Sequence, residues 1–152
     1  MFIELLTNAP AIALAWILAI FISLTIHEFS HALVGKLRGD STAEREGRLT
    51  LNPLAHLDPI GMIPLLLFGF GWAKPVPFNP YNLKNPKWDS VAIALAGPAS
   101  NFVVASASAV VLRTVIATSG EMTLLVAFLL LLVVLNLFLL FFNVIPVHPL
   151  DG

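Results

Sequence analysis

Apolar and polar positions divide the chain into long oily runs and short polar ones, and four apolar runs stand out. The first extends from Pro10 to Leu37 and opens on Asn8, Ala9 and Pro10, a cap followed by a helix-starting proline. It is long enough to cross a bilayer, which takes about 20 residues. The second, Ile60 to Phe70, is short, with Pro59, Gly61 and Pro64 at its start. Runs of about 10–14 residues are more often re-entrant or interfacial than spanning. The third, Trp88 to Ile116, spans and contains Ala-Gly-Pro-Ala-Ser-Asn over positions 96–101. The fourth, Met122 to Val144, spans and is almost purely Leu, Val and Phe, stopped by Pro146 and Pro149.

Two polar stretches separate these runs. Gly39 to Pro59 carries turn signals at Gly39–Asp40 and Glu46–Gly47, and Arg48 to Asn52 alternates like a strand, which predicts a small hairpin. Gly71 to Pro86 holds several prolines and reads as extended, not helical. The expected fold is an all-α integral membrane protein: three transmembrane helices, a short re-entrant or interfacial segment and a small cytoplasmic hairpin. No repeat or second domain interrupts residues 1–152.

Composition makes the membrane reading firm. Apolar residues are 58% of the 152, charged residues 11%, and mean hydropathy is +0.90. A soluble fold of this size could not hide that much apolar surface. Net charge is −1, which gives no sign of a nucleic-acid partner. With no cysteine, disulfides and thiolate zinc sites are excluded. The first ten residues hold Glu4 and no Lys or Arg, unlike a secretory leader, so the first run is expected to be retained.

Charge also predicts orientation. Lys36, Arg38, Arg45 and Arg48 follow the first span, Lys74, Lys84 and Lys87 follow the short run, and Arg113 alone lies near the third-to-fourth connection. Cytoplasmic loops carry the excess of Lys and Arg. Both polar stretches are therefore expected on the cytoplasmic side of the cell membrane, which requires the short run to dip in and return. The first and fourth spans then run parallel.

Within the first span, His27, Glu28 and His31 form His-Glu-x-x-His. On a helix, positions i and i+4 share one face about 6 Å apart. Two imidazoles so placed can grip one Zn²⁺, and the adjacent carboxylate can take a proton from an activated water. Ionisable groups within a span are costly and point to function. The plainer alternative is a helix end whose polar residues face the cytoplasm. Catalytic zinc usually takes three protein ligands. His56 is a lone loop histidine beside Asp58, a position more typical of a surface residue, and His148 is the fourth histidine. Asp151, after the fourth span, is the better candidate, because the parallel arrangement brings it to the side of His27 and His31.

Taken together, His-Glu-Phe-Ser-His on a first span, the loop from Gly47 to Gly61, the stretch from Gly71 to Pro80, the 96–101 motif and Asn143 to Gly152 resemble the site-2 protease family of intramembrane zinc metalloproteases. The likeness is to its compact bacterial and archaeal group without PDZ or CBS domains. It implies one Zn²⁺ per chain on His27, His31 and Asp151, Glu28 as catalytic base, and transmembrane proteins or membrane peptides as substrates. Asn143 would contact substrate backbone or the oxyanion, or else make a polar contact between spans. For Asn101 and Asn136, packing is the favoured reading. His148 stands where the family commonly has proline, as a neutral replacement, or as a residue that supports the ligands or competes with them. Relatives usually continue beyond the position of Gly152, so a core truncated at its C-terminus is expected. Two other classes compete. A metal-permeation subunit would line a span with polar groups, and the fourth span is nearly bare above Asn136. A noncatalytic peptide-binding relative would be expected to lack Glu28 or a ligand.

Overall fold

The computed structural model describes residues 2–68 and 72–144, and the regular structure among these residues is helical, with no strand. A short helix α1 (Phe2–Asn8) leads into α2 (Pro10–Leu37), followed by α3 (Thr42–Arg45), α4 (Pro59–Phe68), α5 (Pro86–Ser119) and α6 (Leu124–Val144). Three of these, α2, α5 and α6, are long and apolar enough to cross a membrane. Much of their apolar surface points outward, as at Leu14, Val103, Val110, Phe138 and Phe141, which suits contact with lipid rather than water.

Local chemistry sets the helix ends. Pro10 occupies the first turn of α2. Gly39, at φ +111°, closes the helix: its N–H donates to the Lys36 carbonyl (3.1 Å) and that of Asp40 to Gly35 (2.9 Å). That pair of bonds is the left-handed glycine stop that satisfies terminal carbonyls. At the start of α5, Asp89 accepts the Asn85 N–H (2.8 Å) and the Arg38 guanidinium from the end of α2 (3.1 Å). The antiparallel register continues inward through His31 with Ile93 and His27 with Asn101. The Gly120 turn then reverses the chain into α6, so α6 runs parallel to α2.

The short apolar run does not cross. Asp58 caps α4 by accepting the Ile60 N–H (3.0 Å), and its other oxygen accepts the Trp72 indole N–H (2.8 Å). Leu57 and Ala73 form an isolated antiparallel bridge, and the Lys74 N–H donates to the His56 carbonyl (2.9 Å). The two flanks of α4 therefore lie side by side, as a re-entrant or interfacial segment requires. A Cβ on Gly61 would fall 2.2 Å from the Trp72 carbonyl, so this close return needs glycine there.

The expected hairpin between Gly39 and Pro59 is absent. Asp40 starts α3 by accepting the Thr42 N–H, Gly47 turns the chain at φ +68°, and the Arg48 N–H donates to the Ala43 carbonyl (2.8 Å). Downstream, the Thr50 hydroxyl accepts the Asn52 N–H (3.1 Å), and Asn52 caps a 3₁₀ turn, Pro53–Ala55. Local side-chain bonds thus occupy backbone groups that a strand ladder would have used. The loop beyond α4 ends the same way, with Asn79 capping a 3₁₀ turn at Pro80–Asn82.

Candidate metal centre

His27, Glu28 and His31 lie in the C-terminal half of α2, all buried. His31 is about 9 Å and His27 about 15 Å from the end of the helix at the usual rise per residue. The two Nε2 atoms are 3.0 Å apart. Two nitrogens on one tetrahedral zinc, at about 2.0–2.1 Å each, would be about 3.3 Å apart. The pair is thus already at the spacing of shared ligation.

Helix α5 backs both imidazoles with three residues on one face. The Ile93 carbonyl accepts from His31 Nδ1 (2.7 Å), and the fully buried Asn101 amide meets His27 Nδ1 (3.0 Å). Gly97 lies between them. A Cβ added there would fall 2.4 Å from His31 Nε2 and 2.6 Å from His27 Nε2. The place that ligation would use is therefore kept clear by the missing side chain of α5. Donor type, spacing and open cradle all fit a metal held by Nε2 of His27 and Nε2 of His31.

Among the described residues no group of three or more metal-ligating side chains forms. The expected third ligand, Asp151, and His148 lie outside the described residues. The approach to that region is visible. Asn136 of α6 donates to the Ser23 hydroxyl of α2 (2.8 Å). The step from Ser23 to His31 along α2 equals that from Asn136 to Val144 along the parallel α6, about 12 Å of rise. The last described turn of α6 is thus level with His31.

Other candidates fare differently. Asn143 donates to the Leu139 carbonyl of its own helix (2.8 Å). His56 is buried, not a surface residue, and its Nε2 donates to the Thr50 carbonyl (2.8 Å). Burial pushes its pKa below the ordinary imidazole value, against the Thr50 bond and together with the nearby Arg48 charge. Sequence reasoning favoured packing for Asn101, whereas the structure places it against a histidine of the motif.

Over 141 residues the chain is 43% identical to a Bacillus subtilis protein named "Putative zinc metalloprotease YwhC", covering 90% of this chain and 64% of that protein. The chain is a homologue of this protein, whose name is that of a "putative zinc metalloprotease". A second relative, "Putative zinc metalloprotease Rip2" of Mycolicibacterium smegmatis, is 34% identical over 88 residues, covering 55% of this chain and 34% of the relative. These names accord with the site-2 protease resemblance of the sequence motifs. The chain spans less than two thirds of the length of either relative. No family model and no solved structure matches it.

Proposed function

We propose that the chain is the core of an intramembrane zinc metalloprotease of the site-2 type, with one zinc held by His27, His31 and Asp151. The observation that carries this reading is the pair of Nε2 atoms 3.0 Å apart on a membrane-spanning helix, facing a position that Gly97 leaves clear. Zinc bound there supplies Lewis acidity toward a scissile carbonyl and an attacking water. Glu28, next to His27 and buried, takes the proton from that water and returns it to the leaving amine. Helix α5 holds both rings through Ile93 and Asn101, and α6 packs along α2 through Asn136 and Ser23.

The substrates are peptide segments within the membrane, because the histidines lie on a spanning helix rather than in a soluble domain. Such a segment must unwind locally before its carbonyl can react. The extended stretch after Trp72 is suited to hold it through backbone pairing. The site opens toward the cytoplasm, a side chosen by the Lys and Arg bias of the flanking loops.

The test compares wild type with Glu28→Gln, measuring zinc content and membrane-protein fragments together. The variant should keep its zinc and lose about 10²–10⁴ in cleavage rate, the usual worth of a general base. Cleavage within tenfold of wild type would remove Glu28 from the mechanism.

A further inference from the structure

A cavity of about 400 Å³ opens at the basic end of the bundle, apart from the metal centre. It is lined by Leu37 and Arg38 at the end of α2, Lys84 and Asn85 before α5, and Trp88 and Asp89 in the first turn of α5. Arg38 lies seven residues beyond His31, about 10 Å along the helix axis. Two lining side chains are cationic and one is anionic. The anion is already engaged: one Asp89 oxygen accepts from Arg38 Nη1 (3.1 Å) and the other from the Asn85 N–H (2.8 Å). That pairing takes one nitrogen of the Arg38 guanidinium, whose side chain stays half exposed with further N–H groups to offer. Lys84 is exposed and has no carboxylate partner among the described residues. Beside the cavity, the Lys87 ammonium stands 5.8 Å from the Trp88 ring centroid. The Asn85 side chain makes no capping bond and Pro86 has no N–H, so the N–H groups of Lys87 and Trp88 are not capped by it. The concavity is thus ringed by positive charge with its one carboxylate occupied.

The depth of the cavity says which anion it suits. Helix α2 has 28 residues, about 42 Å at the usual rise, close to the roughly 40–45 Å of a bilayer with its headgroups. Its end, where the cavity opens, therefore lies at headgroup level. The walls are also part apolar: Leu37 is 70% and Trp88 65% exposed. A free phosphate would meet the cations and leave both of these side chains uncovered. A phospholipid covers them with its glycerol and upper acyl chains, and an indole at this depth is the usual interfacial anchor. We propose that the cavity between the end of α2 and the start of α5 binds an anionic phospholipid, with its phosphate between Arg38 and Lys84 and its glycerol end against Leu37 and Trp88. Arg38 meets the phosphate through the planar N–H groups that Asp89 does not use, and Lys84 meets it as a point charge. The lipid then bridges the two helices that Arg38 and Asp89 already join.

The test adds dioleoyl-phosphatidylglycerol, or dioleoyl-phosphatidylcholine for comparison, to the delipidated full chain in a neutral detergent and counts bound lipid by native mass spectrometry. The first phosphatidylglycerol should bind more tightly than phosphatidylcholine. Lys84→Gln should lower its affinity about fivefold, the usual worth of one basic residue at an anionic membrane surface, and Lys84→Glu should lower it further. Lys84 is exposed in a loop, and a helix-content spectrum checks that both variants keep the fold. Lys36→Gln removes an equal charge at the same end of α2 but outside the cavity, and should leave the affinity nearly unchanged. Inorganic phosphate at the concentration of the lipid should not displace it. Equal affinity for the two lipids, or binding of neither, would overturn the proposal. Equal losses in Lys36→Gln and Lys84→Gln would overturn it as well, because the charge would then act as a diffuse field rather than a site. Displacement by inorganic phosphate would make the cavity a site for a free anion and overturn the lipid assignment.

Discussion

At the scale of single residues, the site depends on what α5 lacks as much as on what α2 supplies. The histidine motif was legible because its chemistry is written within five consecutive positions of one helix. The partners of those histidines were not. Gly97 and Asn101 belong to a motif whose small residues and amide read equally well as helix packing, and the contact joins positions 74 apart in sequence. Only the register of α2 against α5 shows that the glycine faces the Nε2 pair. Gly97→Ala should therefore abolish stoichiometric zinc uptake while leaving the helices intact. Its Cβ would fall at near-ligand distance from both nitrogens and would have to push the rings or the helices apart. Elemental analysis beside a helix-content spectrum checks this. Full zinc occupancy in a folded Gly97→Ala protein would show that the metal is not held between these nitrogens.

At the scale of elements, the spans were readable from length and polarity, and the loops were only partly so. The first span matches α2 at both ends, since Pro10 and Gly39 carry their own stop and start chemistry. The hairpin failed because alternation over Arg48 to Asn52 was a weaker force than the side chains of Asp40, Thr50 and Asn52 bonding nearby backbone. What holds the loops is Asp40. It is buried, and it accepts the Asn79 N–H (2.6 Å), the Asn82 amide (2.8 Å) and both the N–H and hydroxyl of Thr42. It thereby ties the loop after α4 to the end of α2. Burial alone would raise its carboxyl pKa, but the bonds from Asn82, Thr42 and Asn79 outweigh it and hold the value below the ordinary one. A depressed folded-state pKa contributes stability that is complete above the unfolded value of about 3.9 and is lost as pH falls through the folded value. Hydrogen-exchange protection of the Asn79 amide should accordingly hold from neutral pH down to about pH 4 and drop below it. Asp40→Ala, which strands several donors, should cost about 2–4 kcal/mol and remove that acid step. Protection unchanged in Asp40→Ala would mean that other contacts hold the loop.

At the scale of the whole molecule, topology decides whether a metal site can be completed at all. Had α4 crossed the membrane, the end of α2 and the start of α5 would lie on opposite faces. They are instead joined by Arg38 with Asp89, and the flanks of α4 are bridged at Leu57 and Ala73. The ends of α2 and α6 then lie on one side, and the last described turn of α6 is level with His31, which is where a third ligand following α6 is needed. Seven of the eight basic residues also gather at that end, and Arg113 alone is nearer the other. The Lys and Arg bias of these loops is what supports the cytoplasmic side proposed above. The chain has no cysteine, so single cysteines report position without background. Glu46→Cys and Tyr81→Cys stand in exposed parts of the two loops at the basic end, and Met122→Cys stands in the exposed turn at the other end. In intact cells an impermeant thiol reagent should label Met122→Cys alone, and lysis should open the other two. Glu46→Cys and Tyr81→Cys reacting from opposite sides would make α4 a true span and break the route to a third ligand. All three inverted would keep the fold and the metal pair but turn the site to the outer face, overturning the cytoplasmic assignment.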